Sequence, residues 1–185
     1  YSDGDGDGFG DLDDAKQACE PPTGYIEDNT DCDDENGNIN SDAQEICNGE
    51  DDDCDTLTDD ADDDVDLSIG GLPYYMDYDS DGYGNPDEMV TACAQPSGYV
   101  TDDSDCDDID KSINTDGNEV CDGVDNDCDG LTDDYDSDVA DADTFYRDFD
   151  GDGYGANEYS IEACERPSRY VTDNSDCDDS DGEIY

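Results

Sequence analysis

Apolar positions along the chain come in short, separated clusters and never sustain a helical period. The clearest cluster is Met89-Val90-Thr91-Ala92-Cys93, followed by Gln95-Pro96-Ser97-Gly98 and then Tyr99-Val100-Thr101. An alternating run, a turn and a second run predict strand, turn, strand, that is, one small β-hairpin per repeat. The stretches between such clusters are rich in Asp, Gly and Asn, which predicts loops and isolated helical turns. No run of 18 apolar residues occurs, so no membrane-spanning helix is expected. The sequence begins at Tyr1 without an initiator Met, as in a processed or excerpted chain.

The clusters recur. Cys19, Cys32, Cys47 and Cys54 are followed 74 residues later by Cys93, Cys106, Cys121 and Cys128, and Cys164 and Cys177 stand 71 residues after Cys93 and Cys106. This spacing divides the chain into repeat 1 (1–60), a linker (61–73), repeat 2 (74–134), a linker (135–144) and a partial repeat 3 (145–185). The fold class expected is a set of small irregular repeats stabilised by disulfides and metal. They are mostly loops with short β-hairpins and isolated helical turns, and as tandem beads they form an extended rod.

Composition explains why ordinary packing does not suffice. Leu, Ile, Val and Phe together number 23 of 185 residues, and 61 acidic side chains against 5 basic ones leave a net charge of −56. So little apolar surface does not repay the entropy of ordering the chain, and so much charge opposes compaction. The same charge repels nucleic acid and anionic lipid. Of the acids, 50 are Asp and 11 are Glu, a preference expected of loops wrapped around a hard cation and not of a solvated tail.

Three kinds of acidic loop carry that chemistry. The first reads Asp3, Asp5, Asp7; Asp77, Asp79, Asp81; and Asp148, Asp150, Asp152, each followed by Gly. This is the DxDxDG opening of a calcium loop, in which Gly permits the turn and the seventh residue, here Phe9, Tyr83 or Tyr154, offers its carbonyl. Asp14 and Glu88 stand at the twelfth, closing place. The third copy has Tyr159 there and Glu158 one place earlier, and Asp13 and Asp87 share that eleventh place, so spacing leaves the closing ligand open. No amphipathic helices flank these loops, which argues against an EF-hand pair that opens and closes. The second kind reads Asp51, Asp53, Asp55, Leu57, Asp59 and Asp125, Asp127, Asp129, Leu131, Asp133, with Thr56 in place of the turn glycine in the first copy. The third kind is Asp31, Asp33, Asp34; Asp105, Asp107, Asp108; and Asp176, Asp178, Asp179, with Glu45 and Glu119 downstream as extra ligands.

Taken singly, an acidic run is usually a solvated face. Repetition changes that, because carboxylates about 4 Å apart repel by roughly 4 kcal/mol per pair at an effective dielectric near 20. Loops that converge several of them are stable around a cation, and binding is coupled to folding. About eight candidate sites result. All-oxygen ligands in a chain with no His favour Ca2+ over zinc or copper.

Ten Cys in a chain without His point to disulfides and an oxidising, extracellular or cell-surface location. Four cysteines allow three pairings. If pairing stays within units and within the chain, the partial repeat requires Cys164–Cys177, and hence Cys19–Cys32, Cys93–Cys106, Cys47–Cys54 and Cys121–Cys128.

The segments YMDYDSDGYG, ACAQPSGYV, DCDDIDKSIN and EVCDGVDNDCDG together resemble the metal-binding repeat family named after the MopE copper-binding protein, found in tandem in secreted and surface proteins of bacteria. The resemblance covers nearly all the chain outside the linkers and implies extracellular, calcium-rich, disulfide-linked modules. Arg169 departs from it, standing where the family has the Gly of GYV, and the absence of His and Trp departs from copper chemistry. The DxDxDG loops alone are similar to those of thrombospondin type 3 repeats and dockerins.

The function expected is an extracellular calcium-binding structural or adhesive module, a segment or subunit of a surface filament. The alternative is a high-capacity cation buffer or biomineral-binding protein. Its partners are copies of itself or neighbouring repeats, with glycans a further class, and neither nucleic acid nor membrane insertion is expected. No enzyme is expected, since the acids are accounted for as ligands and neither a His base nor a nucleophile context occurs. Aromatics such as Tyr74, Tyr75 and Tyr146 are expected to cover a small disulfide core.

Overall fold

The computed structural model describes residues 1–185. Regular pairing is confined to six short strands: β1 (Leu72–Met76), β2 (Asn85–Ala92), β3 (Tyr99–Val100), β4 (Asp143–Arg147), β5 (Ser160–Ala163) and β6 (Tyr170–Val171). They form two three-stranded sheets ordered β2-β1-β3 and β5-β4-β6. In the second, both pairs are antiparallel, with Phe145 opposite Ile161 and Arg147 opposite Tyr170. The helical turns are two single 3-10 turns, Asp59–Ala61 and Asp133–Tyr135. No helix is long and apolar enough to cross a membrane.

The expected hairpin forms its turn but not its pairing. Tyr99 N–H donates to Pro96 O at 3.2 Å, yet β2 and β3 flank β1 instead of each other. The cause is burial. β1 and β4 carry the aromatic residues that are best shielded, Tyr74 and Phe145, each 5 % exposed, so these strands take the centre where both edges are covered. In repeat 1 the same arrangement is reduced to isolated bridges, with Ser2 between Asp11 and Tyr25.

The chain forms two compact units. One comprises Tyr1–Tyr75 and Met89–Thr101, the other Met76–Glu88 and Asp102–Tyr185, so the division falls within β1 and β2. Each unit buries few apolar side chains: Ile39, Tyr74 and Ala92 in the first, Ile113, Phe145 and Ala163 in the second. Buried polar side chains outnumber them, and the largest fully buried side chains are Glu45 and Glu119. The interior is therefore lined by hydrogen-bonded polar side chains more than by apolar ones.

The disulfides correct the pairing inferred above. Cys32 bonds Cys54 and Cys106 bonds Cys128 inside a repeat, whereas Cys47 bonds Cys93 and Cys121 bonds Cys164 from one repeat to the next. Cys19 and Cys177 are free and exposed. The elimination failed because it confined pairing to units. The chain places Cys47 elsewhere, its N–H donating to Ile69 O in the segment that leads into β1 (3.3 Å). The Asp60 carboxylate meanwhile holds the backbone N–H groups of Cys93 and Ala94 at 2.7 and 2.8 Å, which presents Cys93 to the preceding repeat. Asp134 holds Cys164 and Glu165 in the same way. Bridges with sequence separations of 22 and 46 residues contribute about 3 to 4 kcal/mol each by restricting the unfolded chain. Alkylating the native, unreduced protein should label Cys19 and Cys177, and non-reducing peptide mapping should recover the four pairs above. Recovery of Cys47–Cys54 would contradict this topology.

Candidate metal centres

Five acidic loops share one backbone conformation. At their fourth place φ is positive in Gly6, Ser80, Gly151, Cys54 and Cys128, and at their sixth in Gly8, Gly82, Gly153, Gly130 and Thr56. Short Asp side chains create this winding by accepting the N–H two or more residues ahead. Asp7 Oδ1 accepts from Phe9, Asp81 Oδ1 from Tyr83 and Asp152 Oδ1 from Tyr154, at 2.8 to 2.9 Å. In the second loop kind, Asp51 accepts from Asp55 and Thr56, and Asp125 from Asp129 and Gly130. Asp7, Asp81 and Asp152 build the turn with one carboxylate oxygen, whereas Asp51 and Asp125 spend both on it.

The first and third loop kinds, read as separate sites in sequence, converge into composite centres. Asp3, Asp5 and Asp7 place carboxylate oxygens within 4.8 Å of one another, as do Asp77, Asp79 and Asp81. Asp31 is carried to the first of these by a parallel bridge to Asp11, and Asp105 and Asp176 arrive through N–H bonds to Gly84 and Gly155, both 3.2 Å. Asp34, Asp108 and Asp179 lock the loops by accepting the N–H of Gly4, Tyr78 and Phe149 at 2.6 to 2.7 Å. Asp31, Asp105 and Asp176 are all buried, and the Oδ2 of each lacks any hydrogen-bond partner. Both oxygens of Asp79 and the Oδ2 of Asp150 are also buried and unpartnered.

Asn40 and Asn114 donate to Asp7 and Asp81 at 2.9 and 2.7 Å. The third copy has Tyr185 at that place, stacked on Tyr154, and its Asp152 Oδ2 is left unpartnered.

The second loop kind gathers Glu45, Asp51 and Asp53 in repeat 1, and Glu119, Asp127 and Asp136 in repeat 2. Glu45 is anchored by the N–H groups of Asp52 and Asp59, and Glu119 by those of Asn126 and Asp133, all at 2.8 Å. Asp55 and Asp129 accept from Leu57 and Leu131.

Several sequence-predicted residues have other neighbours. Asp14 accepts from Tyr25 Oη, Asp59 from Gly49 N–H and Asp133 from Gly123 N–H. Asp33 and Asp178 are exposed and bond Glu35 N–H and Ser180 Oγ, and Asp107 donates its N–H to Asp105. Glu88 and Glu158 are exposed. Sequence reasoning misses Asp62, Asp64 and Asp136, which lie in the segments read above as linkers and stand with Asp53 and Asp127. The signal was available: the twelfth place counted from Asp51 is Asp62, and from Asp125 it is Asp136.

Oxygen-only clusters on disulfide-laced loops define a metal-binding repeat protein. The family profile described as "Putative metal-binding motif", the copper-binding MopE type, matches residues 31–60, 105–134 and 176–185, so the chain carries that family's motif in each of its three repeats. No curated protein and no solved structure matches the chain.

Two predictions follow from the local physics. Burial pushes the carboxyls of Asp31 and Asp105 above the ordinary range, and the neighbouring charges of Asp7, Asp5 and Asp34, or of Asp81, Asp79 and Asp108, push the same way. Asp53, Asp79, Asp127 and Asp150 are raised for the same first cause. Groups raised on folding take up protons, so metal-free stability falls as pH rises through about 4 and above. Asp28, Asp66, Asp110 and Asp173, lowered by Thr or Ser hydroxyls, act oppositely and only at lower pH. Thermal melts in chelator should therefore show a higher Tm at pH 5 than at pH 8, with the order reversed when excess divalent cation is present. Separately, Thr56 takes φ +82 and Arg169 φ +67, where equivalent positions have Gly130 and Gly98. Thr56→Gly and Arg169→Gly should each stabilise by about 1 kcal/mol in denaturant unfolding, the relieved strain exceeding the backbone entropy of Gly.

Proposed function

We propose that the chain is an extracellular calcium-stabilised structural or adhesive module, a segment or subunit of a surface filament, rigid when loaded and slack when stripped. The observation that carries this reading is the buried, unpartnered Oδ2 of Asp31, repeated at Asp105 and Asp176. A buried, charged carboxylate oxygen left without a partner is costly, and a hard cation supplies that partner at each site. Copper fits the donor set poorly, since there is no His and the remaining thiols, Cys19 and Cys177, lie at the surface. Mg2+ rarely uses dedicated all-protein cages, so Ca2+ fits best. The disulfides support an oxidising compartment.

Circular dichroism and sedimentation with disulfides intact test this reading. Chelation should abolish the near-ultraviolet tyrosine signal and expand the chain, and Ca2+ should restore both. Calorimetry should find a few tight sites. Dozens of weak ones, with no change in order, would favour a cation buffer instead.

A further inference from the structure

We propose that the segment joining consecutive repeats is itself part of a cation centre: Asp62 and Asp64 close the second acidic loop of repeat 1 together with Asp53, and Asp136 closes that of repeat 2 together with Asp127, with Asp138 at the place equivalent to Asp64. The ligand is a hard divalent cation, and the inference rests on the calcium reading above. Asp62, Asp64, Asp136 and Asp138 lie outside the stretches that carry the family motif.

The geometry has three parts. Asp53, Asp62 and Asp64 bring carboxylate oxygens within 4.8 Å of one another, and Asp127 and Asp136 do so with Glu119. Asp62 is 7 % exposed and Asp136 9 %, and each spends its Oδ1 on the N–H two residues ahead, from Asp64 (2.8 Å) and Asp138 (2.9 Å). Their Oδ2 atoms are buried and have no partner. A solvated acidic run has no reason to bury the same oxygen twice at equivalent places. Since Asp53 also stands with Glu45 and Asp51, it is the carboxylate common to the loop and to the joint.

Such an ion acts on the connection between repeats. Asp60, two residues before Asp62, holds the N–H groups of Cys93 and Ala94, and Asp66, four residues after Asp62, donates its N–H to Glu45 O at 2.8 Å. An ion bound by Asp62 and Asp64 fixes the backbone between those two attachments. The disulfide Cys47–Cys93 ties the repeats covalently, and the cation sets how rigid the tie is.

Calcium titration of the full, oxidised chain by native mass spectrometry and calorimetry tests the proposal. Asp64 and Asp138 are exposed, so Asp64→Asn with Asp138→Asn leaves folding intact and should weaken two of the bound ions at least tenfold, with the others unchanged. Asp63→Asn removes one charge next to the first cluster, the same change in charge as Asp64→Asn alone, and should change no site. Asp62→Asn with Asp136→Asn should lose two ions outright, and hydrogen exchange across 61–70 and 135–144 should rise in calcium. Wild-type stoichiometry and affinities in the Asp64/Asp138 variant overturn the proposal. If the wild-type chain binds no Ca2+ at all, the calcium reading fails instead, and the two failures are told apart by that measurement.

Discussion

The structure depends on how like charges are held together inside it. Carboxylates brought within about 4 Å repel by roughly 4 kcal/mol per pair at an effective dielectric of 20, and burial adds a desolvation cost on top. An ordinary core would offset this with apolar contact, but each unit buries only three apolar side chains, one of them an aromatic ring. The loops nevertheless gather the carboxylate oxygens of Asp3, Asp5 and Asp7, or of Asp77, Asp79 and Asp81, within 4.8 Å of one another, with Asp31 and Asp105 carried beside them by backbone contacts. Local geometry explains how the chain reaches that state, since Asp5, Asp7, Asp31, Asp81 and Asp105, though not Asp79, accept an N–H two residues ahead. It does not explain why the state is stable. A cation bound among them would, by replacing repulsion between carboxylates with attraction to a shared charge.

The disulfides gain meaning from where they enter these clusters. Cys32 directly follows Asp31, and its partner Cys54 sits between Asp53 and Asp55. The bridge therefore ties the buried ligand of a composite centre to the second loop of the same repeat, and Cys106–Cys128 repeats the connection. Motion of one loop is felt at the other through a few covalent bonds. Cys47–Cys93 and Cys121–Cys164 extend this to the following repeat. Cys19 stands in the repeat where Cys93 and Cys164 do, at the position that bonds a preceding repeat, and Cys177 stands where Cys32 and Cys106 do.

Sequence made the local chemistry legible and the long-range pairing much less so. The acidic loops, the glycine positions and the turn at Pro96 are written in a few adjacent residues, where spacing alone dictates geometry. Strand order was not, because β2 and β3 are contiguous with their turn while their true partner, β1, lies upstream. The joining of Asp31 to Asp5 and Asp7 likewise depends on a backbone bridge across twenty residues, which no spacing rule encodes. The disulfide inference failed for the same reason: repetition makes a cysteine's neighbour in the next repeat as accessible as one in its own. Asp62 was the avoidable omission, since ending the repeat at its last shared motif placed the twelfth loop position in a linker.

The preference for Asp over Glu then has a mechanical reading. A carboxylate one methylene from the backbone reaches the N–H two residues ahead with one oxygen and leaves the second facing the cluster, which suits a ligand that must also build its own turn. Glu is too long for that and is used where reach is needed. Glu45 spans to the N–H groups of Asp52 and Asp59, seven and fourteen residues away, and Glu119 spans to Asn126 and Asp133 in the same register. These two are also the largest side chains fully withdrawn from solvent. Each cinches the second loop from inside, the position a Leu would fill in a protein built on apolar packing. Replacing them with Asp would preserve charge but drop both backbone anchors, so the division of labour between the two acids follows from side-chain length alone.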